Sequence, residues 1–148
     1  MPLLLGHKAA KPRIGPPKPP APWLIPLTLL GLTSCGPDET ISGYATPDAT
    51  YTLTELDGAP FPANATIRFP ETGQVTGTAP CNQYNAAQTA PYPWFALGPI
   101  AATRRACTDL AAEQQFFEAL ATMTIAEVAG TTLILSHTDG GQMVFQSD

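Results

Sequence analysis

Apolar and polar residues alternate with a period of two in several short stretches, the signature of strands with one buried face. Tyr51 and Leu53 share one side and Thr52 and Thr54 the other, and Ile67 and Phe69 repeat the pattern within residues 65–69. Residues 74–78 follow the turn Pro70-Glu71-Thr72-Gly73 and read as a hairpin partner of residues 65–69. Residues 124–129 and 132–136 are strand-like on either side of Gly130, and Asp139-Gly140-Gly141 turns the chain into a last strand at 142–145. Residues 85–93 have no clear period, and Pro91, Pro93 and Pro99 limit residues 94–97 to a short or edge strand.

The period changes at Asp109, where Leu110, Phe117, Leu120 and Ala121 fall on one helical stripe with Phe116 and Met123 beside it. Thr108 or Asp109 is placed to accept hydrogen bonds from the first turn, and Ala111 and Ala112 leave no capping box. Strands on both sides of a single helix predict an α+β fold. The expected architecture is a curved antiparallel sheet of six to eight short strands packed around one main α-helix.

Ahead of these elements the pattern is different. Residues 1–22 are basic and proline-rich, and residues 23–32 form an apolar run of about ten, far short of the roughly 20 that span a bilayer. Basic, then short and apolar, then small is the layout of an export signal, so residues 1–34 read as a signal peptide with a proline-rich leader. Leu32-Thr33-Ser34-Cys35 resembles the bacterial lipobox, which implies a lipidated Cys35 as the new N-terminus. Such a residue would anchor the protein to the membrane facing the periplasm, because two or more acyl chains hold where one does not. Gly36 rather than Asp after the cysteine favours the outer over the inner membrane. Residues 35–50 are polar and aperiodic and read as a flexible, lipidated tether, leaving residues 51–148 as the folded domain.

Charge sharpens this division. All 12 acidic residues lie at or after Asp38 with only three of the seven basic ones, so the part after residue 35 carries 3 − 12 = −9. Nucleic acid is a poor partner for such a chain, since that affinity comes largely from Lys and Arg.

The order of landmarks in the folded part resembles the META domain, the family of the heat-shock lipoprotein HslJ. The residues that carry the resemblance are Tyr51-Thr52-Leu53, Gly77 before Cys81-Asn82-Gln83-Tyr84, Thr103 to Cys107, Glu113 to Leu120, and Leu133-Ile134-Leu135. Tyr51 stands where the family usually has Trp, and Pro80 where a Gly often precedes the cysteine. The resemblance implies an envelope protein with an antiparallel sheet around a helix, linked to stress and antibiotic tolerance, and brings no catalytic site. Gly77, Asn82, Tyr84 and Thr103 become its structural motif.

With Cys35 lipidated, Cys81 and Cys107 remain to pair as a structural disulfide. Two buried thiols are the alternative, and a redox pair is disfavoured because 25 intervening residues are nothing like Cys-x-x-Cys. His137 beside a turn reads as a solvated loop residue, and no Gly-x-Ser-x-Gly elbow supplies a nucleophile. No metal-ligand cluster or cofactor signature is present, and Glu113, Glu118 and Glu127 read as solvated. Asn82 reads as a partner for irregular backbone, and Arg104 and Arg105 as partners of the acidic surface. Tyr92, Trp94 and Phe95 are the first candidates for a contact surface, with core or edge packing as the alternative. The expectation is a non-enzymatic, membrane-anchored binder of an envelope protein or small ligand. A periplasmic inhibitor or ligand carrier using the sheet surface is the alternative.

Overall fold

Strand β1 (Tyr51–Leu56) shows how the pattern becomes structure: Tyr51, Leu53 and Leu56 are buried although Leu56 breaks the period. The reason is a bulge between Leu53 and Glu55 in the pairing with the last strand, which inserts one residue and turns Leu56 inward. The computed structural model describes residues 10, 12–19 and 36–148. The chain divides into two compact units, Met1–Ser34 and Cys35–Asp148. The described residues of the first are exposed and form no helix or strand. The apolar run 23–32 and Cys35, with the lipidation expected there, lie outside the described residues. Among the described residues no helix is long and apolar enough to cross a membrane.

The second unit contains nine strands and one main helix among its described residues. After β1 come β2 (Ala59–Pro60), β3 (Thr66–Ile67), β4 (Gln74–Thr78), β5 (Gln83–Ala87) and β6 (Ala101–Ala102). Helix α1 (Leu110–Thr122) follows, then β7 (Ile125–Ala129), β8 (Thr132–Ser136) and β9 (Gln142–Ser147). A six-stranded antiparallel sheet has the order β2-β1-β9-β8-β7, with β3 also on β1, and a three-stranded sheet has the order β4-β5-β6. The expected α+β fold with a curved antiparallel sheet is therefore present, divided between two sheets. The strands beyond the expected number are two-residue pieces, too short to show a period.

Register puts the large apolar residues in rows. Leu133 stands opposite Phe145, which stands opposite Leu53, and Leu135 lies between Ala126 and Met143. All six are buried. Each large apolar side chain removed from water in this way stabilises the fold by about 1.5–3 kcal/mol.

Local structure departs from the sequence reading in several places. Strand β4 pairs along its whole length with β5, and its backbone pairing with the β3 segment is the single bridge Arg68–Thr76. Residues 83–87 are a strand whose small inward residue, Ala86, hides the alternation. Residues 94–97 make only single bridges, Trp94 to Ile125 and Gln88 to Leu97. The buried face of α1 is Glu113, Phe116 and Leu120, whereas Leu110 is exposed at the free first turn. Asp109 occupies the N-cap position without a side-chain cap bond.

The largest revision concerns residues 36–50, expected as a tether. The Ile41–Gly43 segment forms one turn of 3-10 helix, and Ile41 and Ala45 belong to the core. Asp38 organises the turn: its carboxylate accepts the Thr40 N–H at 2.9 Å, the Thr40 hydroxyl at 2.7 Å and the Ser42 hydroxyl. The Tyr51 hydroxyl accepts the Thr46 N–H at 3.0 Å and ties the segment to β1. A lone Ile41 among polar residues gave no period, yet one buried anchor and an Asp-x-Thr-x-Ser turn suffice to fix it.

Desolvation raises the Asp38 pKa, but the hydrogen bonds from Ser42, Thr40 and Thr72 outweigh it and bring the group from 3.8 to about 2. A depressed carboxylate pKa contributes stability above the unfolded value that is lost as pH falls through the folded one. The Asp38 contribution should therefore be full above 3.8 and disappear towards 2. Urea midpoints of the wild type and Asp38→Asn should differ near neutrality and converge near the lower limit. A gap independent of pH across that window would contradict this role.

Candidate functional site

Gly77, Cys81, Asn82, Tyr84, Thr103 and Cys107 lie where the β4–β5 hairpin and the segment after β6 meet the N-terminal half of α1. Gly77 stands opposite Tyr84 in the β4–β5 ladder. A Cβ at Gly77 would collide with the Thr66 carbonyl oxygen and the Tyr84 ring, so only glycine fits this approach. The space it leaves lets the buried Tyr84 hydroxyl donate to the Thr66 carbonyl at 2.9 Å. Burial pushes the Tyr84 phenol pKa far up, so this donor keeps its proton. The ring packs edge-on against Phe116 and Phe117 of α1, with centroids 5.6 and 5.4 Å away.

Asn82 lies at the centre, 4% exposed. Its Oδ1 accepts the Thr103 hydroxyl at 2.8 Å and the Arg105 N–H at 2.7 Å. Its Nδ2 donates to the Arg105 carbonyl at 3.1 Å and to Glu113 Oε1 at 2.6 Å. Asn82 thus uses both its donors and both its acceptor sites, which is the full capacity of an amide. The other Glu113 oxygen accepts the Cys81 N–H at 2.8 Å, and the Thr103 hydroxyl accepts the Gln83 N–H at 3.2 Å. Beside this network Cys81 and Cys107 are joined by a disulfide with Cα atoms 5.7 Å apart.

Glu113, read as solvated from sequence, is instead 7% exposed. It sits one turn before Phe116 on the face that α1 buries, and the spacing Glu-x-x-Phe carried that signal. Its carboxylate joins the helix to the turn between β4 and β5 through two charge-assisted bonds. Arg104 and Arg105 form no ion pair among the described residues. What the network uses of Arg105 is its backbone.

The aromatic candidates separate. Phe95 is a core residue, 1% exposed, and Trp94 is 57% exposed. Tyr92 is half-buried, stacks on Tyr44 with centroids 4.1 Å apart, and accepts the Val128 N–H at 3.4 Å. Their loop is held by Gln88, buried and unremarked in the sequence, whose Nε2 donates to the carbonyls of Ala90 and Trp94 at 3.2 and 3.3 Å. His137 lies in the β8–β9 turn, where Nδ1 accepts the Asp139 N–H at 3.2 Å. Among the described residues no group of three His, Cys, Asp or Glu is placed to hold a metal ion.

The outer face of the small sheet carries an open groove of about 750 Å³. Thr76, Asn85 and Arg68 are among its lining residues. Chemically, the Asn82–Glu113 network holds backbone in place, and the groove presents uncommitted donors and acceptors.

A family model described as the META domain matches residues 45–148. Two solved structures share the fold. An NMR structure of a protein from Burkholderia xenovorans superposes with a TM-score of 0.56 at 18% identity, covering 90% of this chain and 98% of that one. A second protein solved by NMR gives 0.52 at 16% identity, covering 66% of this chain and 87% of the other. No curated protein matches the chain.

Proposed function

The chain belongs to the META domain family, and from that premise we propose that it is a lipid-anchored bacterial envelope protein acting by binding rather than catalysis. Its part in the cell is envelope maintenance or stress tolerance. Cys35 holds it to the outer membrane, facing the periplasm. The observation that carries this reading is the Cys81–Cys107 disulfide. Such bonds persist in oxidising compartments such as the periplasm and are rare in the cytosol. The polar side chains best suited to chemistry support binding over turnover. Asn82, Thr103 and Glu113 are committed to backbone and to one another, and His137 is committed to its own turn.

The ordered N-terminal segment supports a short connection between the proposed anchor and the domain. Only Gly36 and Pro37 separate Cys35 from the Asp38 turn, so an anchor at Cys35 would hold the domain close to the lipid surface rather than on a long leash. The full chain expressed in a bacterium should fractionate with membranes and show an acyl mass on Cys35, and Cys35→Ala should lose both. A wild-type protein recovered soluble and without acyl groups would refute the anchor.

A further inference from the structure

We propose that the groove on the outer face of the three-stranded sheet is a binding site for an acidic saccharide, a polyhydroxylated ligand bearing a carboxylate. The proposal rests on the reading that the protein acts by binding. The pleat builds the face. Arg68 stands opposite Thr76, Thr76 opposite Asn85 and Asn85 opposite Ala101, one row across four chain segments. Two residues along, Thr78 stands opposite Gln83, flanked by Thr66 and Thr103, whose hydroxyls accept the N–H groups of Thr78 and Gln83. The intervening residues, Val75, Tyr84 and Ala86, point into the core and are buried.

Among the described residues, the side chains of Arg68, Thr76, Thr78, Gln83 and Asn85 form no internal hydrogen bond, in contrast to Thr66, Thr103 and Asn82 nearby. These groups offer hydroxyls and amides that donate and accept, plus one guanidinium suited to two parallel bonds with a carboxylate. A volume of about 750 Å³ suits a ligand of a few rings.

Charge identifies the ligand's sign. Residues 36–148 hold three basic residues against 12 acidic ones. Two of the three line this region: Arg68 the groove, and Arg105 an adjoining cavity of about 260 Å³ that shares Thr78, Gln83 and Thr103. Neither lining includes an Asp or Glu. An acidic protein that keeps this face free of carboxylates presents it to an anion. A flat membrane surface would meet the rim and leave the concavity empty, which favours a saccharide over a lipid headgroup.

The test uses the full chain purified from membranes in detergent and followed by NMR of the Gln83 and Asn85 side-chain amides. Trigalacturonate should shift both signals saturably, whereas maltotriose, inorganic phosphate and phosphatidylglycerol vesicles should bind at least about tenfold more weakly. Arg68→Gln should weaken trigalacturonate about tenfold, the loss of one charge-assisted contact, with an unchanged circular dichroism spectrum. Asn85→Asp, which places a carboxylate in the groove, should abolish binding. The site is refuted if trigalacturonate shifts neither signal, if a comparison ligand binds as tightly, or if both variants bind like the wild type. The mass of Cys35 in the same preparation keeps the two readings apart: an acylated protein without trigalacturonate binding retains the anchor and loses the groove.

Discussion

Replacing Glu113 with alanine is expected to destabilise the domain by about 2–4 kcal/mol, since each buried donor left without an acceptor costs about 1–3 kcal/mol. Two donors are orphaned at once: the Cys81 N–H and the Asn82 amide, which the carboxylate accepts at 2.8 and 2.6 Å. Water replaces the carboxylate poorly at Asn82, which is almost fully buried, and better at the part-buried Cys81 N–H. Glu113→Gln should recover only part of the loss. A neutral amide has one acceptor oxygen and turns an NH2 group towards one of the two donors, so one contact becomes a repulsion. Glu118, on the same helix but exposed and bonded only to Gln114, is the control, and Glu118→Ala should stay within about 0.5 kcal/mol of wild type. Urea unfolding of the three variants decides the matter. If Glu113→Ala unfolds with Glu118→Ala, the carboxylate does not join the helix to the turn between β4 and β5.

The contrast between these two glutamates shows what was legible in the sequence. Where burial follows a period, residue type suffices: a strand such as β8 emerges from the alternation of Leu133 and Leu135 with their neighbours, and the helix from the change of period at Asp109. Glu113 defeats that reasoning because its charge argues for solvent while its partners, Cys81 and Asn82, lie more than 30 residues away. The Asp38–Ser42 turn is hidden for the opposite reason, being local and polar with a single apolar residue to bury. Strands β2, β3 and β6 carry two residues each, and no period exists over two residues. The site shows the same division. Among the motif residues Gly77 stands against Tyr84 and Asn82 bonds to Thr103, whereas the groove follows from cross-strand register, which no stretch of sequence displays. Trp94 and Phe95 are adjacent yet meet opposite fates, because a loop pinned by Gln88 turns one outward and the other into the core.

Removing the disulfide with Cys81→Ser and Cys107→Ser should cost about 3.5 kcal/mol, the closure entropy of a loop of about 27 residues in the unfolded chain. The damage should be unevenly distributed. Residues 101–109 are all exposed and bury no side chain of their own. They are held by the two β6 pairings, by the bonds of Thr103 and Arg105 to Gln83 and Asn82, and by the bridge. With the bridge gone, the part of the segment beyond Thr103 relies on Asn82, so Asn82→Ala should cost more in the serine background than in the wild type. A double-mutant cycle should give a coupling of about 0.5–3 kcal/mol, the range for groups that restrain the same backbone. Hydrogen exchange supplies the local readout. The Thr103 and Arg105 amides, bonded to the Gln83 carbonyl and to Asn82 Oδ1, should lose protection well before the core amides of β8 and β9. If instead those two amides exchange at the wild-type rate and the costs are additive, the bridge and the Asn82 network act independently. The shared hold of the bridge and Asn82 on residues 101–109 would then be wrong.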